Sequence, residues 1–144
     1  MNKIVFKELG FPVVLVDPEM IEVRGERLPN VNMKALQETV FRLLIAKPAR
    51  LTGAELRFIR KHHRMRQADL ARVLNMANHS VVSQWESRED DLTGMEYNTE
   101  VVLRLWMAAK AGLADQLLSL LESKLKNLGP TVGGPVEVEL PRAA

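Results

Sequence analysis

Between Arg64 and Arg88 the chain reads RMRQADLARVLNMANHSVVSQWESR, and this segment constrains the fold more than any other. From Gln67 the apolar residues Leu70, Ala71, Val73 and Leu74 fall at helical spacing and make one stripe for burial. Asn75 to Asn78 breaks that period. From His79 a second helix resumes, with Val82 and Trp85 three positions apart and therefore on one face. Asn78, His79, Ser80, Ser83 and Gln84 are left to point outward. The expectation is two short helices joined by a tight turn, the second with a buried inner face and a polar outer one.

The flanking sequence reads as one small β element followed by helices, so the fold class expected is mainly α. Val13 to Val16 and Met20 to Val23 are β-branched or apolar runs, separated by Asp17-Pro18-Glu19 and followed by a turn at Arg24-Gly25-Glu26. They predict a hairpin or meander. A helix capped by Asn32 carries Leu36, Val40, Leu43 and Leu44 and stops at Lys47-Pro48. Thr52 caps the next, with Glu55 three positions on as its capping-box partner and Leu56, Phe58 and Ile59 on its apolar side; this helix ends near Arg64. An acidic loop from Arg88 to Gly94 leads to a helix from Thr99 to Ala111, whose apolar side is read as Val102, Leu105, Trp106 and Ala109, stopped by Gly112. Residues 113–126 predict a last amphipathic helix with Leu113, Leu117, Leu120, Leu121 and Leu125 on one face. The glycines and prolines from Gly129 to Pro135 then mark a loose tail, in which the alternation from Val136 to Leu140 fits disorder or a strand added to a sheet edge.

Charge becomes informative once this layout is drawn. The whole chain is only +2, but residues 50–88 hold eight Lys and Arg against three acids, so a basic middle is flanked by mildly acidic ends. That distribution is expected when one surface faces phosphate. With no cysteine, thiolate metal sites, disulfides and cysteine nucleophiles are excluded. The sequence has no apolar run of membrane-spanning length and no signal-peptide block at its start, so a cytoplasmic location without a membrane partner is expected. No G-x-S-x-G, phosphate-binding glycine loop or H-E-x-x-H occurs, which weighs against an enzyme. His62, His63 and His79 invite a metal, yet adjacent helical histidines diverge by about 100° and chelate poorly, so neither metal nor cofactor is expected.

The spacing of Arg60, Gln67, Leu70, Ala71, Leu74, Val82, Ser83, Trp85 and Glu86, as R-x6-Q-x2-LA-x2-L and then VSQWE, resembles that of Xre/Cro-type helix-turn-helix regulators. The resemblance runs from Thr52 to about Ala111 and implies a five-helix, lambda-repressor-like DNA-binding domain. It also implies an ion pair between Arg60 and Glu86. Leu70, Leu74, Val82 and Trp85 are packing residues. Asn78, His79, Ser80 and Gln84 are the candidates for reading base edges, since Asn and Gln can bond adenine bidentately and Ser and His donate or accept. Gln67, at the first turn of its helix, is the candidate for setting register on phosphate, with Lys61, Arg64, Arg66 and Arg88 as phosphate contacts. Between Leu74 and Ser83 the chain has one residue more than the common spacing of this family. Asn75 stands where the family often has glycine, and asparagine tolerates the left-handed conformation better than most residues.

The order of a β-rich unit, a linking helix and then LTGAELRFIRK is similar to MqsA-like antitoxins, although the paired zinc-binding cysteines of that group are absent. Three regions are therefore expected: 1–48, a hairpin plus helix for partner binding or dimerisation; 49–128, the DNA-binding domain with its C-terminal helix; and 129–144, a flexible tail. The function expected is a sequence-specific transcriptional regulator, a repressor binding a palindromic operator in double-stranded DNA as a homodimer. The alternative is the antitoxin of a toxin–antitoxin pair, with a cognate toxin protein as partner. Leu117, Leu120, Leu121 and Leu125 are the candidate dimer face, and the helix around Leu36 to Leu44 its rival.

Overall fold

A computed structural model of the chain describes residues 2–125 and 128–140, without the side chains of residues 124, 130 and 131. Among these residues there are six α-helices and three small β-sheets, one of three strands and two of two, so the chain is mixed, with just under half of it helical, rather than mainly α. The helices are α1 (Met33–Ile45), α2 (Gly53–His62), α3 (Gln67–Val73), α4 (His79–Glu86), α5 (Tyr97–Lys110) and the single turn α6 (Leu117–Leu120). No helix among the described residues is long and apolar enough to cross a membrane.

The N-terminal strands pair differently from the sequence expectation. β1 (Lys3–Phe6) runs antiparallel to β2 (Val13–Val16), so Asp17-Pro18-Glu19 does not close a hairpin between β2 and the next strand. β3 (Met20–Val23) pairs instead with β4 (Glu26–Pro29), around Arg24 and Gly25. Both turn residues have positive φ, 52° and 81°, the backbone that matches a two-residue turn to the twist of its strands. Ile21, Val23 and Leu28 of this second hairpin are each more than 40% exposed, at 41%, 42% and 43%.

Two further strands come from the segment expected to be a loose tail. β6 (Gly129–Val132) lies parallel to β5 (Ala49–Arg50), and β7 (Glu137–Val138) adds to the free edge of β2 in parallel, burying Val138. The alternating pattern there serves a sheet edge, because a strand with one apolar face gains both ladder hydrogen bonds and burial. Residues 141–144 of the expected tail, and residue 126 at the end of the expected last helix, lie outside the described residues.

One core joins what the sequence divides at residue 48. Phe11, Val13 and Leu15 from the strands, Leu36, Val40, Phe41 and Leu44 from α1, Leu56 and Ile59 from α2, and Leu103 and Met107 from α5 belong to a single buried cluster. Leu36, Val40 and Leu44 are wholly inaccessible, so the α1 face named as a rival dimer surface is interior. Leu125 is equally buried, while Leu117 and Leu120 pack against the core; most of the leucine face is used inside the chain. The last helical stretch is also broken up, into a 3-10 turn at Ala114–Gln116, α6, and a wider π turn at Leu121–Leu125.

Helix α5 turns a different side inward from the one periodicity picks out. Its buried residues are Glu100, Leu103, Arg104, Met107 and Ala108, whereas Val102 is 52% exposed. Arg104 reaches Glu100 Oε2 at 2.5 Å and the carbonyl oxygen of Lys47 at 2.5 Å, and also donates to that of Ala49. Arg50 Nε meets Glu100 Oε1 at 2.9 Å, and Lys47 Nζ donates to both Glu55 oxygens at 2.9 and 2.8 Å. These buried charges tie the 45–52 connection to α2 and α5. Burial pulls the Arg104 guanidinium below its ordinary pKa, against the opposing pull of Glu100.

Candidate nucleic-acid interface

The N-terminus of α2 sets the position of α4. Thr52 and Glu55 form the reciprocal capping box, with Glu55 N–H donating to Thr52 Oγ1 at 3.2 Å and Thr52 N–H to Glu55 Oε1 at 2.9 Å. The next free amides, of Gly53 and Ala54, donate to the carbonyls of Asp91 and Glu89 at 3.1 and 2.9 Å. All the early amides of α2 are thus satisfied partly by its own cap and partly by the loop that follows α4. Gly53 has no room for a side chain: a Cβ there would lie 2.7 Å from the carbonyl oxygens of both Trp85 and Glu86. Helix α2 rests directly on the C-terminal backbone of α4.

A buried ion pair holds the other end of this contact. Arg60 Nε and NH2 donate to the two oxygens of Glu86 at 2.6 and 2.9 Å, and Arg60 NH1 donates to the Met65 carbonyl at 2.7 Å. The Arg60 and Glu86 side chains are only 9% and 2% exposed. Gln67 Nε2 completes the set by donating to Glu86 Oε1 at 3.1 Å. Expected as a register contact on phosphate, Gln67 is therefore half-buried and committed inward to the ion pair. A bidentate pair with its remaining lone pairs occupied is the geometry in which buried charges are tolerated, and losing one partner of such a pair costs about 3–5 kcal/mol.

Between α3 and α4, Asn75 takes the left-handed conformation with φ 56°. It sits just beyond Leu74, the α3 C-cap, where a side chain that tolerates this conformation ends a helix with little strain. Leu70, Leu74 and Val82 are buried, and Trp85 is half-buried against the same core. On the outside, His79, Ser80, Ser83 and Gln84 are exposed. Among the described residues the side chains of His79, Ser83 and Gln84 have no hydrogen-bond partner, which leaves their donors and acceptors available. Asn78 and Ser80 are more occupied. Asn78 is the N-cap of α4, its Oδ1 accepting from the Ser80 amide at 2.9 Å and from the Ser80 hydroxyl.

The basic residues divide in the same way. Arg66 is exposed but bonds Asp69 through Nε and NH2 at 3.2 and 3.1 Å, and this contact lowers the Asp69 pKa to about 2. Arg64, Lys61 and Arg88 are exposed and make no ion pair among the described residues. Lys61 lines a cleft shared with Gln37 and His62 on the α1 side of α2. Among the described residues no group of three His, Asp or Glu side chains is placed to hold a metal ion. His62 instead bonds Glu38 at 3.1 Å and stacks on Phe41, with ring centroids 4.6 Å apart.

The chain matches no protein-family model, no curated protein and no solved structure. Two residues with a part in the geometry of the site carry no signal in the sequence pattern. Gly53 reads as an ordinary early-helix position, and Arg57 as one more surface charge. Yet Arg57 NH2 donates to the Glu86 carbonyl at 3.0 Å and to Glu89 Oε1 at 2.8 Å, satisfying a carbonyl at the end of α4.

Proposed function

We propose that this chain is a sequence-specific, double-stranded DNA-binding regulator of the Xre/Cro helix-turn-helix type, acting as a repressor. The observation that supports it most is the division of α4: Val82 and Glu86 are buried and anchored, while His79 at its exposed first turn and Ser83 and Gln84 further along are exposed and unsatisfied. A row of uncommitted amide, hydroxyl and imidazole groups on a rigid short helix matches the donor and acceptor code of the major groove. Arg64, Arg66, Arg72 and Arg88 are exposed on α3 or beside the two helices and supply phosphate contacts. Gln84 and His79 are the leading base readers in this reading. Asn78 and Ser80 combine capping with contact, and Gln67 acts by orienting Glu86.

One α4 reads few base pairs, so a homodimer on a palindromic site is part of the proposal. With the α1 face interior, the apolar side chains still open to a second copy include Ile21, Val23 and Leu28 of the β3–β4 hairpin, Val5 of β1, and Val102 and Leu118. That exposed hairpin is also the observation behind a second reading, an antitoxin whose N-terminal strands grip a cognate toxin protein while α4 represses its own operon.

Selection from a random duplex library tests the first reading. Enrichment of a two-fold symmetric sequence is expected, with affinity falling steeply as salt rises. Ser80→Ala combined with Gln84→Ala should abolish the preference and leave weak, salt-sensitive binding. Unchanged discrimination in that variant removes α4 as the reader.

A further inference from the structure

On the side of α2 that faces α1, an open cleft of about 440 Å³ is lined by Glu8, Leu9 and Gly10 from the β1–β2 loop, Gln37 from α1, and Ala54, Arg57, Phe58, Lys61 and His62 from α2. Leu9, Ala54 and Phe58 give it an apolar wall. The Phe58 ring is itself met edge-on by Phe11 at 5.4 Å and lies nearly parallel to His62 at 6.0 Å, so it has ring neighbours on two sides. Gln37, Lys61 and His62 also border an adjoining hollow of about 720 Å³, where Lys34 and Arg64 join them.

The charges around this hollow do not balance. Lys34, Lys61 and Arg64 are exposed, and among the described residues none is ion-paired. The carboxylate within reach, Glu38, is spent on Arg42 at 3.1 Å and His62 at 3.1 Å. Lys61 stands where the cleft and the hollow meet, with Lys34 and Arg64 in the hollow, and the exposed Glu8 borders the cleft but not the hollow, so the pair calls for a ligand with its anionic end in the hollow and a flat apolar end in the cleft. Clefts of this size accommodate small organic molecules, with a few polar groups fixing orientation.

We propose that this cleft binds a small ring-bearing organic phosphate, of the mononucleotide class, with its ring against Leu9 and Phe58 and its phosphate among Lys34, Lys61 and Arg64. Duplex DNA would meet the cations but leave the apolar wall unused, because its bases are stacked away from the surface. A neutral apolar ligand would leave the cations uncompensated. Arg57 links the cleft to α4, since it lines the one and bonds the Glu86 carbonyl and Glu89 at the end of the other. A ligand drawn to Arg57 competes with those bonds. The binding inference needs neither α4 nor an operator, and of the residues proposed to contact DNA phosphate it uses only Arg64.

The test is a titration of the isotope-labelled full chain, followed by backbone amide NMR shifts, with AMP, adenosine, inorganic phosphate and a short duplex in separate arms. AMP should give saturable shifts centred on residues 8–10, 34–38 and 57–64, with affinity about tenfold tighter than adenosine or phosphate alone. Lys34→Gln and Lys61→Gln, both at exposed positions, should each weaken AMP by about fivefold or more while the amide spectrum stays that of the folded chain. The inference fails if phosphate alone binds as well as AMP, or if AMP does not saturate these amides by about 10 mM. It fails equally if the duplex shifts the same amides and AMP does not displace it, which would make the patch a DNA-backbone contact.

Discussion

Gly53→Ala tests the contact that orients α4, and its outcome can be estimated from distances. The new Cβ would stand 2.7 Å from the Trp85 and Glu86 carbonyl oxygens and 2.8 Å from the Glu89 nitrogen, where ordinary contact begins at 3.4 Å. All three neighbours are backbone, so no side chain can swing aside. Relief requires α2 and the end of α4 to part by about 0.7 Å, which stretches the Gly53 to Asp91 and Ala54 to Glu89 hydrogen bonds. Overpacking costs about 1–3 kcal/mol and each weakened bond up to about 1 kcal/mol, while alanine returns about 0.5–1 kcal/mol of helix propensity. The net loss expected is about 2–4 kcal/mol, or a Tm lower by roughly 5–15 °C for a chain of this length. Urea unfolding followed by tryptophan fluorescence measures it, with Gly129→Ala as the control. A Cβ at Gly129 meets nothing within 4 Å, so that change should stay within about 0.5 kcal/mol. A Gly53→Ala protein as stable as the parent would mean that α2 does not press on the α4 backbone, and the account of how α4 is positioned would fall.

Glu86→Leu strands the Arg60 guanidinium in the interior and should cost about 3–5 kcal/mol, whereas Arg60→Met with Glu86→Leu should recover most of that loss; equal stability of the single and double variants in urea would refute a coupled pair. Asn75→Val forces a β-branched residue to φ 56° and should cost about 1–2 kcal/mol, with Asn75→Gly neutral or slightly stabilising, both read by thermal melting. Acid should weaken the fold through His63, whose pKa is lowered from 6.5 by burial first and by the charge of His62 next. Because the unfolded chain takes up this proton more readily, the His63 contribution is unaffected above pH 6.5 and is lost as pH falls below it, until the folded-state pKa is reached. His63→Leu should flatten the stability profile just below pH 6.5, and an unchanged slope there would assign it elsewhere.

Local signals made several elements legible. The Asn32 and Thr52 caps, the Gly112 stop and the break from Asn75 to Asn78 depend on contacts within a few residues, and the helices begin and end near them. The split of α4 into Val82 and an exposed polar row follows from the 3.6-residue period alone. Helix α5 defeats the same reasoning. Its inward face holds Glu100 and Arg104, and a hydropathy pattern assigns charged residues outward unless their partners, here Arg50 and the carbonyls of Lys47 and Ala49, are known. Gln67 shows the limit within the site itself: exposure was read from its helix position, but Glu86, nineteen positions away, draws its side chain inward.

The sequence by itself determined that α1 to α5 become helices, where α1 and α2 are capped, and that the outward residues of α4 are polar, because these depend on backbone propensity and on neighbours within one or two turns. Tertiary structure alone decided that β2 pairs with β1 and β7, and that residues 129–132 return to Ala49–Arg50. It likewise placed α2 on the α4 backbone at Gly53 and opened the cleft beside Lys61. The physical reason is common to all four. Strand partners, helix contacts and clefts arise between residues far apart in the chain, and the free energy of closing those loops is repaid only by the whole packed core.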